Sequence, residues 1–275
     1  MSAGGKHLIS CLELEQSLGQ SSLRIVDCRF DLTEPAAGRL AWLESHIPGA
    51  VYAHLDDDLS GPPITDRGRH PMPPPDRLCE IFGHLGVADD ASVVAYDDAG
   101  GMVAARLWWM LRYMGFEAVR VLDGGWQSWV GSGFPVTSGL EAYPPAIFRG
   151  EPRADRLVLR GEIQRSVRLL DARDGARYRG EVEPIDPVAG HIPGALNHCW
   201  KDNLGDDGRF LPAETLAQSL TKACGDPPDA GLVHYCGSGV SACHNVLAQC
   251  VAGLPEPRLY AGSWSEWCRD QGGEL

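Results

Sequence analysis

A cysteine between an apolar segment and a glycine-rich turn is the feature of this sequence best suited to chemistry. Residues 233–235, Val-His-Tyr, lead directly into Cys236. A Gly-Ser-Gly turn follows at 237–239, and then a segment typical of a helix. A thiol there faces unpaired backbone N–H groups and the positive end of a helix dipole. Such surroundings favour the nucleophilic thiolate, so the sequence predicts a reactive cysteine at 236.

The residues after the cysteine predict a loop whose backbone amides surround the sulfur. Gly237 and Gly239 admit backbone dihedral angles closed to other residues, so consecutive N–H groups can turn towards one atom. We expect the amides from Gly237 and Ser238 through Gly239 and Val240 to Ser241 to stabilise the thiolate and a bound anion. The alternative is a buried, inert thiol, which would give no reason for glycines on both sides of a serine.

The composition limits the classes of function. The chain has 275 residues, a net charge of −13 and 44% hydrophobic residues, values that suit a globular protein of two domains. The negative charge argues against a nucleic-acid partner, because phosphate binding needs clustered Lys and Arg. No apolar run reaches the ~20 residues that span a bilayer, and the first residues lack the apolar core of a signal peptide. We therefore expect a cytoplasmic protein without a membrane partner.

The nine cysteines are an odd number and include no CxxC pair. Neither a disulfide framework nor a zinc site is predicted, and most of the thiols are expected to be small buried apolar groups. Cys243 and Cys250 lie seven residues apart on the predicted helix after the loop, which favours a place in the core.

Several sequence blocks occur twice in the same order. The pentapeptide His-Ile-Pro-Gly-Ala stands at 46–50 and again at 191–195, and Gly-Gly-Trp at 124–126 corresponds to Gly-Ser-Trp at 262–264. Each repeat alternates apolar strands with helices. This pattern predicts an α/β protein with two tandem domains, each a mainly parallel sheet flanked by helices. We place the first domain at 1–140, a linker at 141–156 and the second domain at 157–275.

Within the first repeat the pattern is specific enough to predict individual elements. A capping box of Ser10 and Glu13 opens a short helix. The proline-rich stretch 61–75 predicts a long loop, either a rigid surface loop or a wall of a site against the second half. Strands are expected at 23–26, 92–96 and 118–122, and helices at 76–85 and 103–114.

The cysteine belongs to only one of the two repeats. Aligning Tyr96 with Tyr235 puts Asp97 opposite Cys236, so the first repeat has no nucleophile at this point. Features common to both repeats, such as the His-Ile-Pro-Gly turns, most simply serve the shared fold. We therefore expect the first domain to be catalytically silent and the second to carry the reaction.

The two His-Ile-Pro-Gly turns, the loop at 236–242 and the closing segment at 262–267 together resemble the tandem-domain rhodanese family of sulfurtransferases. The resemblance covers nearly the whole chain. It implies that Cys236 takes a sulfane sulfur from a small anionic donor and holds it as a persulfide. It also implies transfer to a thiol acceptor, such as thioredoxin or a small thiol, or to cyanide. No metal or organic cofactor is expected.

The loop residues also bear on the donor. A Gly-Ser pair after the cysteine is similar to the mercaptopyruvate enzymes of this family, whereas the thiosulfate enzymes typically carry Arg-Lys there, two cations suited to a dianion. Gly237 and Ser238 thus predict 3-mercaptopyruvate as donor, with thiosulfate as the alternative. Ser241 stands where the family usually has Thr, and we expect its hydroxyl to cap the following helix.

The resemblance implies an arginine site for the donor. Arg177 matches the arginine that binds the donor's anionic group. The mercaptopyruvate enzymes usually carry a second arginine before the next His-Ile-Pro-Gly turn, but residues 181–190 contain none. Arg179 is the nearest substitute for that second arginine.

A serine-hydrolase-like set is also implied by the resemblance. In the mercaptopyruvate enzymes the loop serine pairs with a histidine and an aspartate of the first domain. The corresponding set here is Ser238, His70 and Asp56, with Asp57 and Asp58 as alternatives to Asp56.

Two other classes of function compete with sulfur transfer. A phosphatase or arsenate reductase of related fold needs an arginine at the sixth position after the cysteine, where this chain has Ala242. A non-catalytic sulfur carrier or interaction module would be inactive without a protein partner. The sequence favours the enzyme over both.

Overall fold

The computed structural model describes residues 4–62, 67–163 and 167–270, which form two α/β units, each built on a parallel sheet. The strands of the first unit are β1 Leu8–Ile9, β2 Leu23–Asp27, β3 Ala50–Tyr52, β4 Ser92–Tyr96 and β5 Val119–Leu122. Their order in the sheet is β1-β5-β4-β2-β3, and every pairing is parallel. The predicted fold class is confirmed, and the predicted strands of the first repeat agree with these bounds to within a residue.

The second unit repeats this arrangement on a smaller scale. Its strands are β6 Leu169–Asp171, β7 Leu196–Asn197, β8 Val233–Tyr235 and β9 Arg258–Leu259, in the order β7-β6-β8-β9 with parallel pairing throughout. Strands β4 and β8 hold equivalent places in the middle of their sheets. Both end at the loops that Asp97 and Cys236 open, so the alignment of the two repeats holds in three dimensions.

Helices flank both sheets. The first unit has α1 Gly4–His7, α2 Cys11–Ser17, α3 Ala37–Glu44, α4 Pro75–His84, α5 Ala104–Tyr113 and α6 Gly125–Gly131. The second has α7 Gly175–Tyr178, α8 Ala213–Cys224, α9 Ser241–Val251 and α10 Ser263–Asp270, with 3₁₀ turns at Ala154–Arg156, Arg160–Glu162 and Trp200–Asn203. The predicted capping box is present on α2: Ser10 Oγ accepts from the amide of Glu13, whose carboxylate accepts from the amide of Ser10.

The two units share a continuous hydrophobic core. Helix α5 of the first packs against α9 of the second, and one buried cluster contains apolar side chains from both helices. Cys243 and Cys250, on α9, lie inside this cluster, as the sequence predicted. An interface buried to this degree fixes the two sheets relative to each other and allows a site to be built from both.

Features common to both repeats serve the fold. Buried Asp27 binds the guanidinium of Arg29, which also lies over the ring of Trp126. Asp171, Arg173 and Trp264 repeat this arrangement in the second unit. Each buried charge is paired, as burial requires. In the described ranges no helix is long and apolar enough to cross a membrane.

Candidate active site

Cys236 directly follows β8 and is held on both sides of its backbone by the start of α10. Its N–H donates to Ser263 Oγ at 3.1 Å, and its carbonyl accepts from the N–H of Trp264 at 2.9 Å. The carbonyl of Gly237 accepts from the N–H of Ser265 at 2.8 Å. The side chain of Cys236 is therefore presented by a fixed loop, and only 2% of the residue is exposed.

Within the loop, the Gly239 N–H donates to Cys236 Sγ at 3.1 Å. Such a bond favours the thiolate, because the negative sulfur is the better acceptor. Gly239 has φ of 78°, and a Cβ there would lie 2.3 Å from the carbonyl oxygen of Ala261. Both its backbone conformation and its surroundings therefore require glycine.

Two expectations about the loop are corrected. Gly237 is not among the glycines with positive φ; a Cβ there would lie 2.9 Å from Nη2 of Arg69, so this guanidinium would have to shift. Ser241 does not cap α9. Val240 occupies the N-cap position with no side-chain hydrogen bond, and Ser241 is the first helical residue. The positive end of α9 still faces the loop.

Ser238, His70 and Asp56 form one hydrogen-bonded chain across the two units. His70 Nδ1 lies 2.7 Å from Ser238 Oγ, and His70 Nε2 lies 3.2 Å from a carboxylate oxygen of Asp56. A carboxylate only accepts, so Nε2 carries the proton of a neutral ring and Nδ1 accepts from the serine hydroxyl. Of the alternatives to Asp56, Asp57 pairs with the ring of His54 and Asp58 accepts from the amide of His54.

The charge state of His70 follows from its surroundings. Burial, together with the charges of Arg106 and Arg69, lowers the pKa of His70 to about 3. Asp56 acts in the opposite direction, but it is partly exposed, and burial raises its own pKa. His70 is therefore neutral at physiological pH, which leaves Nδ1 able to accept a proton from Ser238.

Arg177 faces the same loop from α7. Its Nε and Nη2 bind the carboxylate of Glu183, and Nη2 also lies 3.4 Å from Asp186. Its Nη1 is 3.7 Å from the position that a Cβ on Gly237 would take. The guanidinium is thus fixed from behind by acidic side chains and directed at the residue after Cys236.

Arg179 is not brought to this site. Its guanidinium binds the carboxylate of Glu181, and 58% of its side chain is exposed. The expected role of Arg179 as the second donor arginine is therefore corrected. A residue two positions after Arg177 on a short helix points to a different side, and Arg179 finds a local acidic partner there.

A cation that the sequence reasoning missed is supplied by the proline-rich loop of the first unit. The backbone N–H of Arg69 donates to Ser265 Oγ at 3.1 Å, and its guanidinium pairs with Asp186 of the second unit. Its Nη2 approaches Gly237 more closely than Arg177 does. The available signal was its position next to His70 in a loop for which a wall of the site was one of two predicted alternatives.

A second missed residue is Arg106, on α5, which is fully buried. Its guanidinium donates to three backbone carbonyls: those of Leu59 at 3.3 Å, Gly239 at 3.1 Å and His70 at 3.2 Å. These acceptors belong to the proline-rich side of the site and to the cysteine loop. Arg106 therefore ties the two segments that carry His70 and Cys236 to one helix.

The equivalent loop of the first unit is already filled by its own side chain. The carboxylate of Asp97 accepts four backbone N–H groups, those of Ala99, Gly101, Val103 and Ala104, at 2.7–2.9 Å. The side chain of Asp97 therefore occupies the amide cradle, and residues 97–104 include no cysteine. That the first unit is catalytically silent stays a prediction.

Comparisons with known proteins agree with this fold. The family described as "Rhodanese-like domain" matches residues 10–132 and 155–270. A probable 3-mercaptopyruvate sulfurtransferase of Pseudomonas aeruginosa is 47% identical over 270 residues, 96% of this chain and 95% of the relative. A putative thiosulfate sulfurtransferase of Mycobacterium tuberculosis is 39% identical over 287 aligned positions, covering 98% of this chain and 96% of the relative.

A solved structure is also similar over nearly the whole chain. The 3-mercaptopyruvate sulfurtransferase of Leishmania major superimposes with a TM-score of 0.87 at 31% identity, over 98% of this chain and 76% of that one. Paired parallel sheets with a cysteine loop after the central strand of the second define the class of tandem-domain sulfur-transfer proteins. This chain belongs to the rhodanese family.

Proposed function

We propose that this protein is a sulfurtransferase that moves a sulfane sulfur from 3-mercaptopyruvate, through a persulfide on Cys236, to an acceptor. The acceptor is a thiol, such as thioredoxin or a small thiol, or cyanide. The observation that carries the choice of donor is the hydrogen-bonded chain of Ser238, His70 and Asp56 beside the cysteine loop. A ketone donor can use that chain, whereas thiosulfate has no carbonyl group for it to bind.

The first half-reaction transfers the donor's sulfur. The Cys236 thiolate attacks the sulfur of 3-mercaptopyruvate, an S–S bond forms, and the C–S bond breaks with its electron pair passing to carbon. The resulting enolate of pyruvate takes up a proton. Ser238 donates a hydrogen bond to the ketone oxygen as negative charge develops there, and His70 holds the serine for this task. Asp56 fixes the tautomer of His70.

The second half-reaction restores the cysteine. The acceptor thiolate or cyanide attacks the outer sulfur, the S–S bond breaks, and its electron pair returns to Cys236. The Gly239 amide and the amino end of α9 stabilise the anionic sulfur in both half-reactions. Ping-pong kinetics are expected, because the first product leaves before the acceptor reacts.

The domain assignment belongs to the same proposal. Residues 1–140 form the silent domain, residues 141–156 the linker and residues 157–275 the catalytic domain. Two separate family matches along the chain support this division. The silent domain contributes Asp56 and His70, so both domains are needed for one site.

Thiosulfate is the second candidate donor. Two guanidinium groups, those of Arg69 and Arg177, face Gly237 and would suit a sulfonate as well as a carboxylate. These two arginines partly replace the Arg-Lys pair that is typical of the loop in thiosulfate enzymes. The presence of Gly237 and Ser238 in the loop is therefore a weaker argument against thiosulfate as donor.

One experiment tests both the reaction and the donor. Thiocyanate formation is measured with cyanide and either 3-mercaptopyruvate or thiosulfate, and we expect the higher kcat/KM with 3-mercaptopyruvate. Mass spectrometry of the donor-treated protein should show one added sulfur atom on Cys236. Cys236→Ser serves as the control and should be folded and inactive. Turnover by Cys236→Ser would contradict the mechanism, and a large preference for thiosulfate would contradict the donor.

A further inference from the structure

Two guanidinium groups from different domains converge on the residue after Cys236. The position that a Cβ on Gly237 would take lies 2.9 Å from Nη2 of Arg69 and 3.6 Å from Nη2 of Arg177. Any side chain at 237 would therefore displace Arg69. Because Gly237 has no side chain, the guanidinium of Arg69, from the first domain, can occupy the space beside residue 237.

Arg69 is held by its main chain and by one end of its guanidinium, and its Nε is left without a hydrogen-bond partner among the described residues. Its Nη1 binds Asp186, and its main chain is fixed by Ser265. Its Nε is buried, and within the part of the chain that the structure describes it has no hydrogen-bond partner. Nε and Nη2 form the edge of a guanidinium that binds a carboxylate through two parallel hydrogen bonds. A buried donor without a partner is unfavourable, and an anionic ligand would satisfy it.

Asp186 is the common anchor of the two cations. It is buried and lies against both Arg69 and Arg177, so it sets the guanidinium groups on one side of the loop. It stands in the segment 181–190, where an arginine was expected from the family and none occurs. An acidic residue there, paired with an arginine from the other domain, restores the second positive charge from the opposite side of the site.

We propose that Arg69 is a donor-binding, specificity-determining residue that, with Arg177, binds the carboxylate of an α-keto acid donor. The inference rests on the proposed function and deepens it, because it assigns the second cation of the donor site to the silent domain. The competing explanation is that the Arg69–Asp186 pair only joins the two domains.

The test compares two donors that differ in the carboxylate. These are 3-mercaptopyruvate and 1-mercaptopropan-2-one, the same α-keto thiol without the acid group, both assayed with cyanide. In Arg69→Ala we expect KM for 3-mercaptopyruvate to rise by about 10- to 100-fold, the loss of one charge-assisted hydrogen-bonded contact. The kcat/KM for the uncharged ketone should change by less than about 3-fold. Arg69→Lys keeps the charge but cannot form two parallel hydrogen bonds to a carboxylate, so its KM for 3-mercaptopyruvate should lie between those of wild type and Arg69→Ala.

Arg67→Ala is the matched control, since Arg67 is an exposed arginine of the same loop, and it should behave as wild type with both donors. Equal losses of kcat/KM with both donors in Arg69→Ala and Arg69→Lys would show a purely structural pair and overturn the inference. An unchanged KM for 3-mercaptopyruvate in Arg69→Ala beside an active wild type would also overturn it, leaving the proposed function intact. A wild-type protein that forms no thiocyanate from 3-mercaptopyruvate would overturn the proposed function, and this inference with it.

Discussion

At the scale of single residues, the site depends on a serine whose partners come from another domain. Ser238 follows the nucleophile by two positions, yet the histidine bound to it, and the aspartate bound to that histidine, stand in the first repeat. A neutral His70 suits this role because it accepts from the serine and donates to Asp56. The chemistry assigned to this chain, stabilisation of an enolate, is specific to a ketone donor.

That specificity gives a prediction for Ser238→Ala and His70→Asn. Each should lower kcat/KM for 3-mercaptopyruvate by about 10²- to 10³-fold, the usual effect of losing one hydrogen-bond donor to a developing oxyanion. The double variant should be no worse than the poorer single variant, since the two residues act as one unit. Transfer from thiosulfate should be little affected, because sulfite leaves without a carbonyl. His84→Asn, a change at an exposed histidine of α4, is the control. Equal losses with both donors would contradict the assigned role.

Which site residues could be predicted depends on whether their role is local. Cys236 was predictable because its loop, strand and helix are contiguous in sequence. Arg69 was missed because nothing near it in the sequence indicates that it reaches Asp186, more than a hundred residues away. Arg179 was assigned wrongly for the same reason. Its position two residues after Arg177 does not show which way its side chain points or that its partner is Glu181.

At the scale of elements, α5 and α9 place the two halves of the site. They pack against each other inside the shared core, and Arg106 projects from α5 to the cysteine loop. The sequence predicted a helix at 103–114 and, without bounds, a helix after the cysteine loop. The contact between them was not predictable, because most of the faces of both helices are buried and apolar, and such faces do not identify their partner.

Arg106→Met should therefore be both less stable and less active. The substitution keeps much of the volume but leaves the carbonyls of Leu59 and His70 without the Arg106 donor, and that of Gly239 with only the thiol of Cys243. We expect the free energy of unfolding in urea to fall by at least about 2 kcal/mol. Arg77→Met, at an exposed arginine paired with Glu80, is the matched control and should change stability by less than about 1 kcal/mol. A fully stable Arg106→Met with wild-type kcat would contradict the role of Arg106.

At the scale of the whole molecule, buried histidines link stability to pH. Burial is the main cause that lowers the pKa of His7 and His234 to about 4 and that of His70 and His244 to about 3. The unfolded chain therefore binds more protons than the folded one between these values and about 6.5, and stability is lost as pH falls through that window. Buried aspartates with raised pKa, such as Asp97, act in the opposite direction.

The contribution of a single histidine to this pH dependence can be measured with a substitution. His234→Gln should make the free energy of unfolding less dependent on pH between about 6 and 4, by up to about 1.4 kcal/mol per pH unit, relative to wild type. His84→Gln, at an exposed histidine, should leave the dependence unchanged. Urea unfolding at a series of pH values measures both. Parallel curves for wild type and His234→Gln would exclude the proposed linkage.

The loop that begins at Asp97 in the first domain can be compared with the equivalent loop that begins at Cys236 in the second. The carboxylate of Asp97 has a constant size, and four backbone amides donate to it. In the proposed reaction, the sulfur anion of Cys236 gains one atom when the persulfide forms and loses it again on transfer. The backbone around Cys236 is fixed by hydrogen bonds with Ser263 and Trp264, so the side chain, and not the loop backbone, has to accommodate that atom. We therefore expect the two loops of the duplicated chain to differ: the first is filled by a side chain of constant size, and the second takes up and releases a second sulfur.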